Sequence, residues 1–257
     1  MDDQAHSKAH ARNKTFYWEL ITFLVEDQLF KVTRHMFEES SEVFSTMLSL
    51  PQGTTSPVDG SDDEHPLVLQ GVKSADFENL LKVMVHTGRE SVPKLSHNEW
   101  LSALKLATMW GMTSIRRMAI SEITQLNNMT DVDQVMLGRE YAVVDWVMSG
   151  YQALTKRKDV ISIPDASRLT LSTCLKVWQA QVSILNATAS SGFGSAPVDR
   201  GPLDDIFASE LDEVYQKGIA LGDGIRSHNP RFSPQTPPPT ASASFGGFSG
   251  TGRGRRS

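Results

Sequence analysis

The sequence predicts an α+β module in its first half, followed by further helices, and three observations carry that reading. Residues 20–32 hold two short apolar runs split by Glu26-Asp27, the pattern of a strand hairpin. From Ser40 onward apolar side chains recur every three or four positions, the period of amphipathic helices. After Ala187 serine, glycine and proline take over, a composition that cannot bury enough apolar area to offset chain entropy.

The elements follow in order. Ile21, Phe23 and Val25 alternate with Leu20, Thr22 and Leu24, and both sets are largely apolar, so this strand is expected to be covered on both faces. Glu26-Asp27 supplies the turn, and Leu29, Phe30 and Val32 form the second strand. Ser40 or Ser41 can cap a helix whose inward face is Val43, Phe44, Met47 and Leu48, stopping before Pro51. Residues 51–66 hold turn-formers and the acids Asp59, Asp62, Asp63 and Glu64, hence a loop. Leu67-Val68-Leu69 reads as a short buried strand. Ser74 can cap the next helix, with Phe77, Leu80, Leu81, Met84 and Val85 on one face.

Ser96 and Glu99 make a capping box for a helix lined by Trp100, Leu104, Ala107 and Trp110, which Gly111 can end. Ile115, Ala119, Ile123 and Leu126 line another. Beyond Thr130 and Asp133, which suit a helix start, lies a second helical region. Pro164-Asp165 suits the start of its last part. There Leu171, Cys174, Leu175, Trp178, Val182 and Leu185 form an apolar stripe that is expected to pack inward, as are the tryptophans Trp100, Trp110, Trp146 and Trp178. Near the C-terminus Phe207, Leu211, Val214, Tyr215 and Ile219 share a helical face, with Glu210, Asp212 and Glu213 expected to point away.

Composition narrows the function. The chain has 257 residues, 39% hydrophobic and 21% charged, as in ordinary soluble proteins. A net charge of -5 argues against broad nucleic-acid binding. One cysteine, Cys174, cannot form an internal disulfide framework, which suits a reducing compartment. The opening MDDQAHSKAHARNK is polar and unlike a secretory signal, and no apolar run approaches a membrane span. The expected location is intracellular, cytoplasmic and/or nuclear.

Candidate chemistry is thin. His6 and His10 have the i, i+4 spacing of a ligand pair but sit in a polar tail without further ligands. Cys174 lies on an apolar stripe, where a thiol is structural. No Gly-x-Ser-x-Gly elbow occurs. The acidic loop lacks calcium-ligand spacing. Lys156-Arg157-Lys158 suits a helix end, and Arg253-x-Arg255-Arg256 is too short to argue RNA binding. Ser233-Pro234 and Thr236-Pro237 sit in a plain low-complexity tail. No catalytic, cofactor-binding or metal site is expected.

The string Phe23-x-Val25-Glu26, Leu29-Phe30-x-Val32, Phe37, Ser40 or Ser41, Phe44-x-x-Met47, Pro66-x-x-Leu69 and Asp76-Phe77-x-x-Leu80-Leu81 resembles the BTB/POZ domain. Trp100, Leu104-x-Leu106-Ala107, Trp110-Gly111-Met112, Ile115-Arg116 and Ala119 look like its later helices. The likeness extends to the BTB proteins of mushroom-forming, basidiomycete fungi. Trp18-Glu19 stands where many members carry an Asp ahead of the first strand. Thr33-Arg34-His35 replaces the usual His-Arg or His-Lys pair.

The resemblance implies a BTB/POZ fold, a small sheet plus helices, followed by an α-helical extension and a disordered C-terminal tail. The expected boundaries are a disordered tail over 1–14, the BTB/POZ domain over 15–127, the extension over 128–187, and a mostly disordered tail over 188–257 with a candidate helix at 204–221. It implies a non-enzymatic protein–protein interaction module that homodimerises, acts as an adaptor, or both. Phe16, Trp18, Leu20, Phe37 and Phe44 are the expected partner-binding residues. A cullin-type ubiquitin ligase, for which the chain would serve as substrate receptor, is the further partner implied, with neither direct nucleic-acid nor membrane contact. The alternative is a transcription- or chromatin-associated regulator acting through partners.

Overall fold

A computed structural model describes residues 11–50, 58–86, 92–190 and 201–223 of the chain. The His6–His10 pair, His228 and, of the tails expected at 1–14 and 188–257, residues 1–10, 191–200 and 224–257 lie outside the described residues.

Strand β1 (Leu20–Val25) is the middle of a three-stranded sheet. It pairs antiparallel with β2 (Gln28–Thr33) and parallel with the two-residue β3 (Leu67–Val68). Its central position explains the apolar character of both its faces: Ile21, Phe23 and Val25 are buried, and so is Thr22. The hairpin turns through Glu26, whose φ of 53° lies in the left-handed region. Its carboxylate accepts the Ser74 backbone N–H at 2.8 Å, tying the turn to the start of a later helix.

Two short helices follow, α1 (Arg34–Ser40) and α2 (Glu42–Ser49). Ser41 is the cap between them. Its hydroxyl accepts the Phe44 N–H at 3.3 Å and donates to the Trp110 carbonyl at 2.5 Å. Helices α3 (Ser74–His86), α4 (His97–Met109) and α5 (Thr113–Leu126) then pack in sequence, α3 on α4 and α4 on α5. The capping box of Ser96 and Glu99 is present as the spacing predicts. Gly111 takes φ 65° just beyond α4.

An aromatic cluster joins sheet to helices. The Phe23 ring lies 4.8 Å from Phe37 and 5.5 Å from Phe77, and Phe44 meets Trp110 edge-on at 5.1 Å. Several expectations about faces need correction, Leu126 and Ile219 among them, since both side chains are exposed. Val43 and Val85 point to solvent, and α3 instead buries Val83, because the helices are oriented by the aromatic cluster. Val68 is exposed, since β3 is the sheet's outer edge rather than a buried strand.

The second region has its own core. Helices α6 (Asp131–Glu140) and α7 (Val144–Lys156) form a tight antiparallel pair. Thr130 and Asp133 make its capping box. Gly138 and Gly150 permit the close approach: a Cβ on Gly150 would lie 2.7 Å from the Asp131 carbonyl oxygen. Helices α8 (Ile163–Leu169) and α9 (Leu171–Ser190) complete it, with a chain return through α10 (Gly201–Ile206) and α11 (Ala208–Ala220). The candidate helix at 204–221 is thus two helices broken at Phe207. Tyr141 and Trp146 reach from this region into the first core. The Trp146 indole N–H donates to Thr124 Oγ1 at 2.7 Å.

Candidate interaction surface

The residues before β1 lie on the surface. Phe16 is 78% exposed, Trp18 65% and Leu20 52%, with Tyr17 beside them. Four large apolar side chains within five positions form an unusually apolar stretch for a protein surface. Leu20 opens β1 and is exposed, while Ile21 and Thr22 after it are buried.

An open groove of about 530 Å³ runs beside these residues, lined by Arg12, Trp18, Glu19, Arg34 and Asp59 among others. The Arg12 guanidinium sits over the Tyr17 ring, 4.7 Å from its centre. Arg34 is held from three sides. Its Nε donates to Glu38 at 2.7 Å, its Nη2 to the Leu48 carbonyl at 2.6 Å, and its backbone N–H to the Glu19 carbonyl at 2.9 Å. The Glu19 carboxylate is 3.9 Å from Nη1. Charges of both signs with an aromatic rim resemble the edge of a protein–protein interface.

Two expected partner residues do not belong to this surface. Phe37 is 0% exposed and Phe44 2%, because both rings complete the aromatic cluster beneath β1. They position the surface from below and cannot touch a partner while the domain is folded.

The expected inward stripe of α9 also needs correction. Leu171, Leu175, Trp178 and Leu185 face solvent, Trp178 at 63% exposure. The inward side is Thr173, Val177 and Ala180, with Cys174 and Val182 partly covered. Smaller residues face the core because α9 lies close over α7, where larger ones would not fit.

Sequence reasoning missed a partly buried polar network. Arg139 Nε donates to Glu210 Oε1 at 2.6 Å, and its Nη2 donates to the Tyr151 hydroxyl at 2.7 Å and Thr173 Oγ1 at 2.8 Å. The Tyr151 hydroxyl in turn donates to Glu210 at 2.7 Å. Burial, then the neighbouring Glu210 charge, pushes the Tyr151 hydroxyl pKa strongly upward. Phe207 stacks on the Tyr151 ring at 3.7 Å. Glu210 therefore points inward, contrary to expectation, and fastens α11 to α6 and α7. No local signal marks it, since its partners lie up to 71 positions away.

Among the described residues, no group of three or more His, Cys, Asp or Glu side chains is placed to hold a metal ion. No helix among them is long and apolar enough to cross a membrane. The side chains of Arg116, Arg139, Tyr151 and Glu210 are engaged in holding helices together. Large apolar side chains are exposed at the N-terminal segment and on α9.

Residues 10–126 match the family model described as the BTB/POZ domain, spanning the sheet and α1 to α5. A comparison of the chain with curated proteins finds no match.

Proposed function

We propose that this chain, whose residues 10–126 form a BTB/POZ domain, is a non-enzymatic adaptor that self-associates through its N-terminal aromatic face. BTB/POZ domains are protein–protein interaction modules, and that coarse role holds for this one. The observation supporting the finer reading is the exposure of Phe16, Tyr17, Trp18 and Leu20 beside a groove of mixed charge. A two-fold axis at this face would set Trp18 and Leu20 against their symmetry mates, an isologous contact that buries the patch. A cullin-type ubiquitin ligase is the further partner, and it would grip the BTB/POZ domain while the helical region presents a substrate. Nothing among the described residues favours a transcription- or chromatin-associated role over this one.

Light scattering of the full chain across a concentration series tests the self-association. A dimer that Trp18→Glu dissociates supports it, and a wild-type monomer at high micromolar concentration refutes it. Recovery of a cullin from cell extract, under conditions that recover known adaptors, tests the second step. Its absence there counts against that step alone.

A further inference from the structure

Helix α9 is built like a buried helix, yet half of it faces water. Among its twenty residues, Leu171–Ser190, Lys176 is the only charge, and no acid is present. That Lys176 leans inward, its Nζ 5.7 Å from the centre of the Phe207 ring. The outward face is left without charge. Leu171 is 75% exposed, Leu175 56%, Trp178 63% and Leu185 66%, with Val182 partly covered between them. A helix that is apolar on both faces is ordinarily enclosed on both.

The spacing suits a helical partner. Leu171, Leu175, Trp178, Val182 and Leu185 are separated by four, three, four and three residues. That is the heptad alternation of a two-stranded seam, in which each apolar side chain inserts between residues of a helix with the same repeat. The inward residues Thr173, Val177 and Ala180 fall on the opposite side of the wheel, so seam and intramolecular core do not compete. The positions flanking the seam are Ser172, Cys174, Gln179, Gln181 and Asn186, all uncharged. A second copy of the helix would therefore meet no like-charge repulsion, while a charged partner would find nothing to pair with.

We propose that the outward face of α9 is a second self-contact surface, packing against the α9 of another copy across a two-fold axis. It is separate from the Phe16–Leu20 face and does not depend on it. Two heptads extend about 21 Å and bury less than the ~800 Å² per partner of a standard interface. The contact is accordingly a weak, micromolar one that a second interface would reinforce.

The test uses the full chain in four forms: wild type, Trp18→Glu, the pair Leu175→Glu with Trp178→Glu, and all three changes together. Mass is read by light scattering up to ~200 µM. Both α9 positions are exposed, so the helical circular dichroism and melting curve are expected to hold. The α9 pair is expected to weaken association on the order of a hundredfold, in the Trp18→Glu background as well as in wild type. Quenching of Trp178, read as the difference between wild type and Trp178→Phe, should fall as concentration rises.

If Trp18→Glu alone is monomeric and the α9 pair changes nothing, the proposal is overturned and the N-terminal contact stands. If Trp18→Glu changes nothing while the α9 pair gives monomers, this contact stands and the N-terminal one falls. A wild-type monomer overturns both. A monomer whose Trp178 is shielded at every concentration also overturns the proposal, because the chain's own residues then cover the stripe.

Discussion

Arg116 and Asp223 meet across 107 positions of sequence: Arg116 Nε donates to Asp223 Oδ1 at 2.7 Å and Nη2 to Oδ2 at 2.5 Å. The guanidinium is 1% exposed and also donates to Thr108 Oγ1 and the Tyr141 carbonyl. It rises from α5 of the BTB/POZ domain, while Asp223 follows α11. One buried cation thus closes the chain return over both cores. Removing only the carboxylate leaves that cation buried and unpaired. Asp223→Ala should cost about 3 kcal/mol in urea unfolding, and Arg116→Met with Asp223→Leu should recover much of it.

Glu210 has the same logic within the second core. Glu210→Ala leaves the Arg139 guanidinium without its counter-ion and the Tyr151 hydroxyl without its acceptor, at an expected cost of about 2–4 kcal/mol. Hydrogen exchange should locate the damage in α10 and α11, whose amides exchange faster while those of β1 stay protected. Uniform acceleration throughout the chain would show instead that the two cores unfold as one.

Phe44 and Phe16 should separate stability from recognition. Phe44→Ala empties a site enclosed by Phe23, Phe37 and Trp110 and should destabilise by about 3–5 kcal/mol. Phe16→Ala, at 78% exposure, should leave the unfolding free energy unchanged within about 0.5 kcal/mol while weakening self-association.

Acid should act on the second core through Asp131. The hydrogen bond from Arg157, more than the opposing burial, holds its carboxyl below the ordinary value of 3.8. Arg157 donates from Nε at 2.5 Å and from Nη2 at 2.8 Å. A lowered folded-state pKa means that the unfolded chain takes up the proton first. The stabilisation is present above about pH 4 and disappears as pH falls through the folded value. Asp131→Asn should lower stability at pH 7 and flatten the loss below pH 4, as measured by unfolding across a pH series.

Gly150 offers a steric check on the α6–α7 pair. Its absent Cβ would fall 2.7 Å from the Asp131 carbonyl oxygen and 2.7 Å from Val135 Cγ2. Gly150→Ala must push the helices apart. A destabilisation of about 1–3 kcal/mol is expected despite the better helix propensity of alanine. Stabilisation on calorimetry would show that the pair has slack.

Much of this architecture is legible along the chain because its determinants are local. The hairpin turn at Glu26-Asp27, the capping box at Ser96 and the helix start at Thr130 each involve residues a few positions apart, and each forms as its spacing predicts. The candidate surface is legible only in part. Phe16, Trp18 and Leu20 emerge exposed, but Phe37 and Phe44 are the same residue type at equally plausible positions and are core. Composition cannot distinguish an aromatic that packs beneath a sheet from one that stands above it.

The sequence by itself determined most of the helices and strands and that residues 20–126 build a small sheet with helices, while α1 and the break at Phe207 emerged only in the structure. Periodicity and capping act over one or two turns, within reach of neighbouring residues. Only the tertiary structure decided which side of each helix is inside. On α9 both sides are apolar, so periodicity alone does not choose between Leu175 and Val177. Close packing on α7 settled it by admitting the smaller set, leaving Leu175 and Trp178 to the outside. The pairings Arg116–Asp223 and Arg139–Glu210 were likewise decided late, because a buried charge finds its counter-ion wherever the fold brings one.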